Sequence, residues 1–364
     1  MTEALPLLLA VAAIAAAAIT HGAGRYFARK GWLADRPGAR SSHQTPTPRT
    51  GGAAIMLGFS IAALAFSIVT PGLAKLTGVI ACAFALGVLD DARPLPAMIK
   101  LAGQIAVAML FVVLFGAVES VPAPVLGELA LGFAAPVFTV FWIVAFMNAF
   151  NFMDGANGIA ATAAVFALCA LGVAAAGTGA ATVAAASILL AGAVFGFLPL
   201  NFPAARLFMG DGGSQSVGFA IAALAALAAS AAPDVATTSA LFVPIVFMPF
   251  LFDVAFTLAH RVARRRAIAE AHNEHLYQLL MRLGASHVSV TALYLTLIAI
   301  STIAAIFANA LPVGLAFMVP ALLFAFFIIP ALTIFRRASA AGLLARPSAT
   351  LKETPPMPMA KAAE

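Results

Sequence analysis

Charge is what this chain has least of. Only 9% of its 364 residues are Asp, Glu, Lys or Arg, while 63% are hydrophobic, and the mean hydropathy is +1.04. A soluble domain carries roughly 25% charged residues, so a water-soluble globule is excluded and a bundle of membrane-spanning helices is indicated. Cysteine is nearly absent. Cys82 and Cys169 both stand in apolar runs, which rules out a disulfide framework and a cysteine-ligated metal. The apolar runs do not alternate with polar residues, which excludes a transmembrane β-barrel. The first run, Leu5 to Ile19, has only Glu3 ahead of it and no basic segment, so it reads as a retained helix rather than a signal peptide. No internal repeat is visible.

What is present is apolar sequence cut at regular intervals by polar or Gly/Pro breaks. The cuts predict about eleven transmembrane helices, near 4–21, 52–70, 73–89, 98–118, 131–149, 157–177, 180–199, 213–231, 237–259, 288–308 and 311–334. Abundant Ala and Gly suit close helix contact in lipid. Numbering the loops alternately puts 19 of the 20 Lys and Arg on one side, with Lys75 alone on the other. The positive-inside rule makes the first side cytoplasmic, with the N-terminus outside and the C-terminus inside. The net charge of +6 is then a matter of topology, and no nucleic acid is implied. The reading is an all-α polytopic integral membrane bundle. Residues 1–335 form a single transmembrane catalytic domain, and residues 336–364, rich in Ala, Pro and Lys, form a disordered cytoplasmic tail.

Four acids stand at the cytoplasmic mouths of these helices: Asp90, Asp91, Asp154 and Asp211. Asp211 lies among Gly210, Gly212 and Gly213 directly before an apolar run. That stretch suits a metal-bound phosphate beside a helix N-terminus, or a plain helix cap. Asp90 and Asp91 are adjacent, so on a helix they point about 100° apart and take different partners. Lys100 and Gln104 follow one turn apart; Lys100 is a phosphate ligand or a snorkelling anchor. Asn148, Asn151, Asp154 and Asn157 crowd one short stretch, more amide and carboxylate than a helix cap needs. Ser42, His43, Thr47 and Arg49 sit in a proline-stiffened loop and can bind phosphate or sugar hydroxyls. Asn201 and Phe208 precede the Asp211 loop, Phe208 as a stacking surface or an interfacial aromatic. Asp253, an acid inside the ninth span, is a functional candidate by position. Arg264 and Arg265 suit phosphate or lipid headgroups, and His272 and His275, three apart, share a face if helical.

Five motifs in order resemble the polyprenyl-phosphate N-acetylhexosamine-1-phosphate transferase superfamily (MraY/WecA/WbpL-like, glycosyltransferase family 4). They are Ser42-His43 with Pro46-Thr47-Pro48-Arg49 and Gly51-Gly52; Leu89-Asp90-Asp91 with Lys100 and Gln104; Asn148 with Asn151 to Gly155; Phe208 to Asp211 with Ser214 and Gly218; and His272 to Gln278. The resemblance covers nearly the whole chain and lies nearest the type that starts O-antigen and other surface polysaccharides. It implies transfer of N-acetylhexosamine 1-phosphate from a UDP-N-acetylhexosamine to undecaprenyl phosphate, with release of UMP, at the cytoplasmic face of the cell (inner) membrane. It implies a magnesium ion, replaceable by manganese, on Asp211 and Asp154. Asn201 and Phe208 would face uracil, Asp90 or Asp91 would orient the lipid phosphate, and His272 and His275 would meet the pyrophosphate. Membrane lipids are further partners, and a homodimer is allowed for. Many relatives carry an Asp where this chain has Asn157, so only a hydrogen-bonding role passes to that position. The competing expectations are the phospho-N-acetylmuramoyl-pentapeptide type of the same family, which the missing run of three histidines disfavours, and a secondary transporter, whose site would lie at the bilayer midplane.

Overall fold

In lipid every backbone N–H must find a carbonyl within the chain, so uninterrupted apolar sequence closes into helices. The computed structural model describes residues 4–35, 45–123, 127–230, 240–266 and 272–344. In order they form α1 (Ala4–Lys30), β1 (Ala34–Asp35), β2 (Thr47–Pro48), α2 (Gly51–Phe66), α3 (Gly72–Ala92), α4 (Ala97–Phe115), β3 (Ser120–Ala123), β4 (Gly127–Ala130), α5 (Ala135–Met153), α6 (Ile159–Gly177) and α7 (Ala181–Asn201). Then come α8 (Gly210–Ala229), α9 (Phe242–Val246), α10 (Met248–Ala263), α11 (Leu276–Arg282), α12 (His287–Asn309), α13 (Val313–Ala316) and α14 (Met318–Ala340). Among the described residues the fold is all-α apart from two small antiparallel pairs, β1 with β2 and β3 with β4.

Each expected span overlaps a helix among the described residues. Among the described residues nine helices are long and apolar enough to cross a membrane. The second and ninth expected spans are the exceptions. α2 has 16 residues. The ninth is broken at Phe247 into α9 and α10, because Pro249 lacks an N–H and restarts the helix in its own first turn. Two ends overrun their expected limits. α1 continues to Lys30, well past residue 21, and α14 continues to Ala340, into the segment expected as tail. Residues 345–364, the rest of that tail, lie outside the described residues.

α8 is the centre of the bundle. Of its most apolar 18 residues 89% are buried, against 11% for α1. It is flanked by α3 and α5, with α2, α6 and α7 also against it. The approach to α2 and α3 is backbone to backbone. A Cβ on Gly52 would run into Gly213, and one on Gly87 would run into the Asp211 carbonyl. Small residues at such crossings are how helices pack where lipid competes equally for apolar side chains. Because successive helices alternate in direction, the C-termini of α3, α5 and α7 meet the N-termini of α2, α4, α6 and α8 at one end of the bundle. Every residue of the candidate site comes from that end.

Candidate active site

The site is built on the first turn of α8. Gly210 opens it with φ of +72°, a left-handed conformation that favours glycine. The chain ahead is stitched to the β2–α2 corner: Phe208 N donates to Pro48 O at 2.8 Å, and Gly51 N and Gly52 N donate to Phe208 O and Met209 O at 2.9 and 2.8 Å. Two of the N–H groups in the first turn of the helix are already taken. Asp211 N and Gly212 N donate to the Asp91 carboxylate at 3.0 and 2.8 Å. This corrects two expectations. The helix N-terminus does not offer these N–H groups to a phosphate, and Asp91 is its cap rather than a group aimed at substrate.

Asp90 points elsewhere, as neighbours on α3 must. Its Oδ1 accepts Leu95 N at 2.8 Å and its Oδ2 pairs with Lys100 Nζ at 2.6 Å. The same ammonium lies 2.6 Å from Asp211 Oδ2, so Lys100 is the shared counter-ion of two carboxylates from different helices. Asn151 Nδ2 supports the other Asp211 oxygen at 3.1 Å and also donates to Ser214 Oγ at 2.7 Å.

Asp211 opens onto a cavity of about 400 Å³ whose lining includes Asp35, Arg49, Asn151, Asp154, Asn157, Asn201, Phe208 and Gln278. Arg49 and Asp35 form an ion pair at 2.8 Å on its wall. Asp154, just past the C-terminus of α5, accepts no hydrogen bond from any described residue. Burial, with the nearby charges of Asp211 and Asp91, pushes its carboxyl well above the usual carboxylate range, and Arg49 pulls the other way. Hard carboxylate oxygens with no protein donor suit a divalent cation. Among the described residues no three His, Cys, Asp or Glu gather into a metal cage. Asp154 and Asp211 together offer the one or two carboxylates that a magnesium ion takes, its remaining positions going to water and phosphate oxygens.

Seven of the expected residues therefore line one cavity: Arg49, Asn151, Asp154, Asn157, Asn201, Phe208 and Asp211. Asp90, Asp91 and Lys100 stand directly behind Asp211. Two cavity residues have most of their polar reach spent within the fold. Asn201 Oδ1 accepts Gly158 N at 2.7 Å and its Nδ2 donates to Leu207 O at 3.0 Å. Asn157 Nδ2 donates to Pro203 O at 3.1 Å.

Other expectations require correction. Asn148 lies one turn below the cavity, its amide donating to Gln104 Oε1 and Val144 O, both at 2.8 Å. Thr47 is buried in β2 and donates to Thr45 O. Arg264 and Arg265 are exposed at the end of α10 and do not line the cavity. His272 and His275 do not share a helical face, since α11 begins after His275, which caps it. His275 is buried with its Nδ1 3.3 Å from Asp253, and neither histidine lines the cavity. Burial, His275 and Arg261 lower the His272 pKa to about 4. Ser42 and His43 lie outside the described residues.

Asp253, a functional candidate by its depth in the membrane, is satisfied by the fold. It accepts Leu276 N at 2.8 Å, Tyr277 N at 3.2 Å, Thr257 Oγ1 at 3.2 Å and the Tyr294 hydroxyl at 2.6 Å. Sequence reasoning missed Asp35 on the cavity wall, and named Gln278 only as the end of a motif, without a role. It also missed Glu274, which holds both Arg261 and Arg266. An acid fourteen residues ahead of an Arg gives no periodic signal that the two will pair across a two-residue strand ladder.

Carboxylates, amides and two cations from several helices thus gather around one polar cavity at one end of a bundle of apolar helices. The comparison with known sequences gives the family: residues 73–229 match the model for "Glycosyl transferase family 4", and the chain belongs to that family of transferases. It is 33% identical over 267 residues to the "Probable undecaprenyl-phosphate N-acetylglucosaminyl 1-phosphate transferase" of Bacillus subtilis, covering 72% of this chain and 73% of the relative. It is 33% identical over 337 residues to the decaprenyl-phosphate N-acetylglucosaminephosphotransferase of Mycobacterium tuberculosis, covering 83% of each. The match to a phospho-N-acetylmuramoyl-pentapeptide-transferase of Listeria monocytogenes is 32% over 197 residues, covering 50% of this chain and 61% of the relative.

Proposed function

We propose that this protein transfers N-acetylglucosamine 1-phosphate from UDP-N-acetylglucosamine to a polyprenyl phosphate, such as undecaprenyl phosphate, at the cytoplasmic face of the cell membrane. An oxygen of the lipid phosphate bonds to the sugar-bearing phosphorus, the bond from that phosphorus to the UMP oxygen breaks, and UMP leaves. The observation that carries the reading is the pair Asp154 and Asp211 facing one cavity beside Lys100 and Arg49. It is supported by relatives named for this transfer over most of both chains. The shorter match to the pentapeptide type makes that substrate the weaker reading. The acids collect at one end of the helices, where a transporter would place them at the midplane.

Asp211 and Asp154 would hold the magnesium ion, which when bound offsets charge on the pyrophosphate oxygens. The chain's own groups supply the rest. Lys100 keeps Asp90 and Asp211 close despite their like charge, and Asn151 orients the second Asp211 oxygen. Asp91 fixes the loop by its two N–H bonds, so Asp211 is placed before substrate arrives. Arg49 presents a guanidinium to the cavity for a phosphate oxygen, and Phe208 offers a ring edge or face to the base. The test is purified protein supplied with undecaprenyl phosphate and a panel of UDP-sugars, with UMP and the lipid product measured. UMP release is expected with UDP-N-acetylglucosamine above all. A preference for the muramyl-pentapeptide donor, or no release with any donor, would overturn the reading.

A further inference from the structure

Asp154 sits on a turn, not in a helix, and a turn needs something to hold it. Its backbone N reaches only Asn151 O, at 3.2 Å. The support comes from the other side of the cavity. Tyr277, buried in the first turn of α11, donates its hydroxyl to Phe152 O at 3.0 Å. The next glycine makes room for it, since a Cβ on Gly155 would collide with the Tyr277 hydroxyl. Gln278 Nε2 donates to that same hydroxyl at 3.1 Å, and Gln278 lines the cavity. Tyr277 is itself seated by Asp253, which takes the N–H groups of Leu276 and Tyr277 at the start of α11. Burial, with Asp253 and Asp154 near, pushes the phenol far above its ordinary pKa, so it stays a donor.

We propose that Tyr277, seated by Asp253, is a positioning residue that fixes the Asp154 turn against the wall of the cavity. The inference deepens the transfer reading and rests on it, so the test carries a readout that does not need the reaction. Tyr277→Phe keeps the ring and deletes both hydrogen bonds of the hydroxyl, the one to Phe152 O and the one from Gln278 Nε2. Backbone amide exchange over residues 153–158 should quicken about tenfold, with α8 unchanged. In the transfer assay kcat should fall about tenfold, with KM for the UDP-sugar within about twofold. Gly155→Ala reaches the same contact from the other side and should cost more. Adding Tyr277→Phe to it should recover part of the loss, because the hydroxyl in the way is gone. Unchanged exchange in Tyr277→Phe, or strictly additive losses in the double variant, would overturn the strut. Quickened exchange in a protein that transfers no sugar phosphate would uphold the strut and sink the reaction.

Discussion

Two carboxylates, Asp211 half-buried in the first turn of α8 and Asp253 enclosed within α10, differ in what surrounds them. Asp253 is fully enclosed and meets four N–H or O–H donors, so its charge is spent holding α10, α11 and α12 together. Asp211 meets one amide and one ammonium and still borders a cavity that a second acid, Asp154, also faces. A carboxylate whose lone pairs are filled by the fold is a fastener. One left facing open space with a like-charged neighbour is incomplete until something positive and polar arrives. Membrane depth alone would have ranked Asp253 as the functional acid, and the count of donors reverses that order.

Neutralising each acid in turn separates the two roles. Asp211→Asn should lower UMP release roughly 10³-fold while the protein keeps its thermal stability in detergent. Asp253→Asn should instead destabilise the fold by about 3 kcal/mol, read as a lowered unfolding midpoint. The reverse pattern, a stable Asp253 variant and an unfolded Asp211 variant, would end the distinction. Next in size is Lys100→Met, which leaves Asp90 and Asp211 without their shared cation. Transfer should fall about 100-fold, measured as UMP release at saturating donor.

Smaller effects sharpen the edges. His272 is held neutral in the fold, with a pKa lowered to about 4 from 6.5. The unfolded chain therefore binds more protons between those values. Its contribution to stability is complete above about pH 6.5 and is lost as pH falls toward 4. Thermal melts between pH 7 and 4.5 should show a smaller acid loss in His272→Gln than in the parent. Smallest of all, Arg264→Ala with Arg265→Ala should change transfer by less than about twofold, because both side chains are exposed outside the cavity.

The helical architecture was legible because lipid imposes one rule, continuous apolar length, on every span. The break at Phe247 was harder to see, since Pro244 and Pro249 sit in a run otherwise apolar enough to pass for one helix. Within the site, Asp90, Asp91, Asp154 and Asp211 stood out because charge in such a chain is rare. What the spacing could not give was their division of labour. That Asp91 would cap α8 depends on a contact 120 residues away in sequence. Asn148 and Asn151 look equivalent in the chain, yet three residues of helix send one to Gln104 and the other to Asp211. The histidines misled for a related reason: periodicity assumes a helix, and at His275 the helix has only begun.

The bare backbone seam where Gly52 meets Gly213, and Gly87 meets the Asp211 carbonyl, lies behind the cavity and leaves the start of α8 no room to shift against α2 and α3. A related enzyme acquiring a taste for a bulkier or differently substituted sugar could not do so by remodelling there. Variation would have to enter through the side chains that line the cavity, among them Asp35, Arg49 and Gln278.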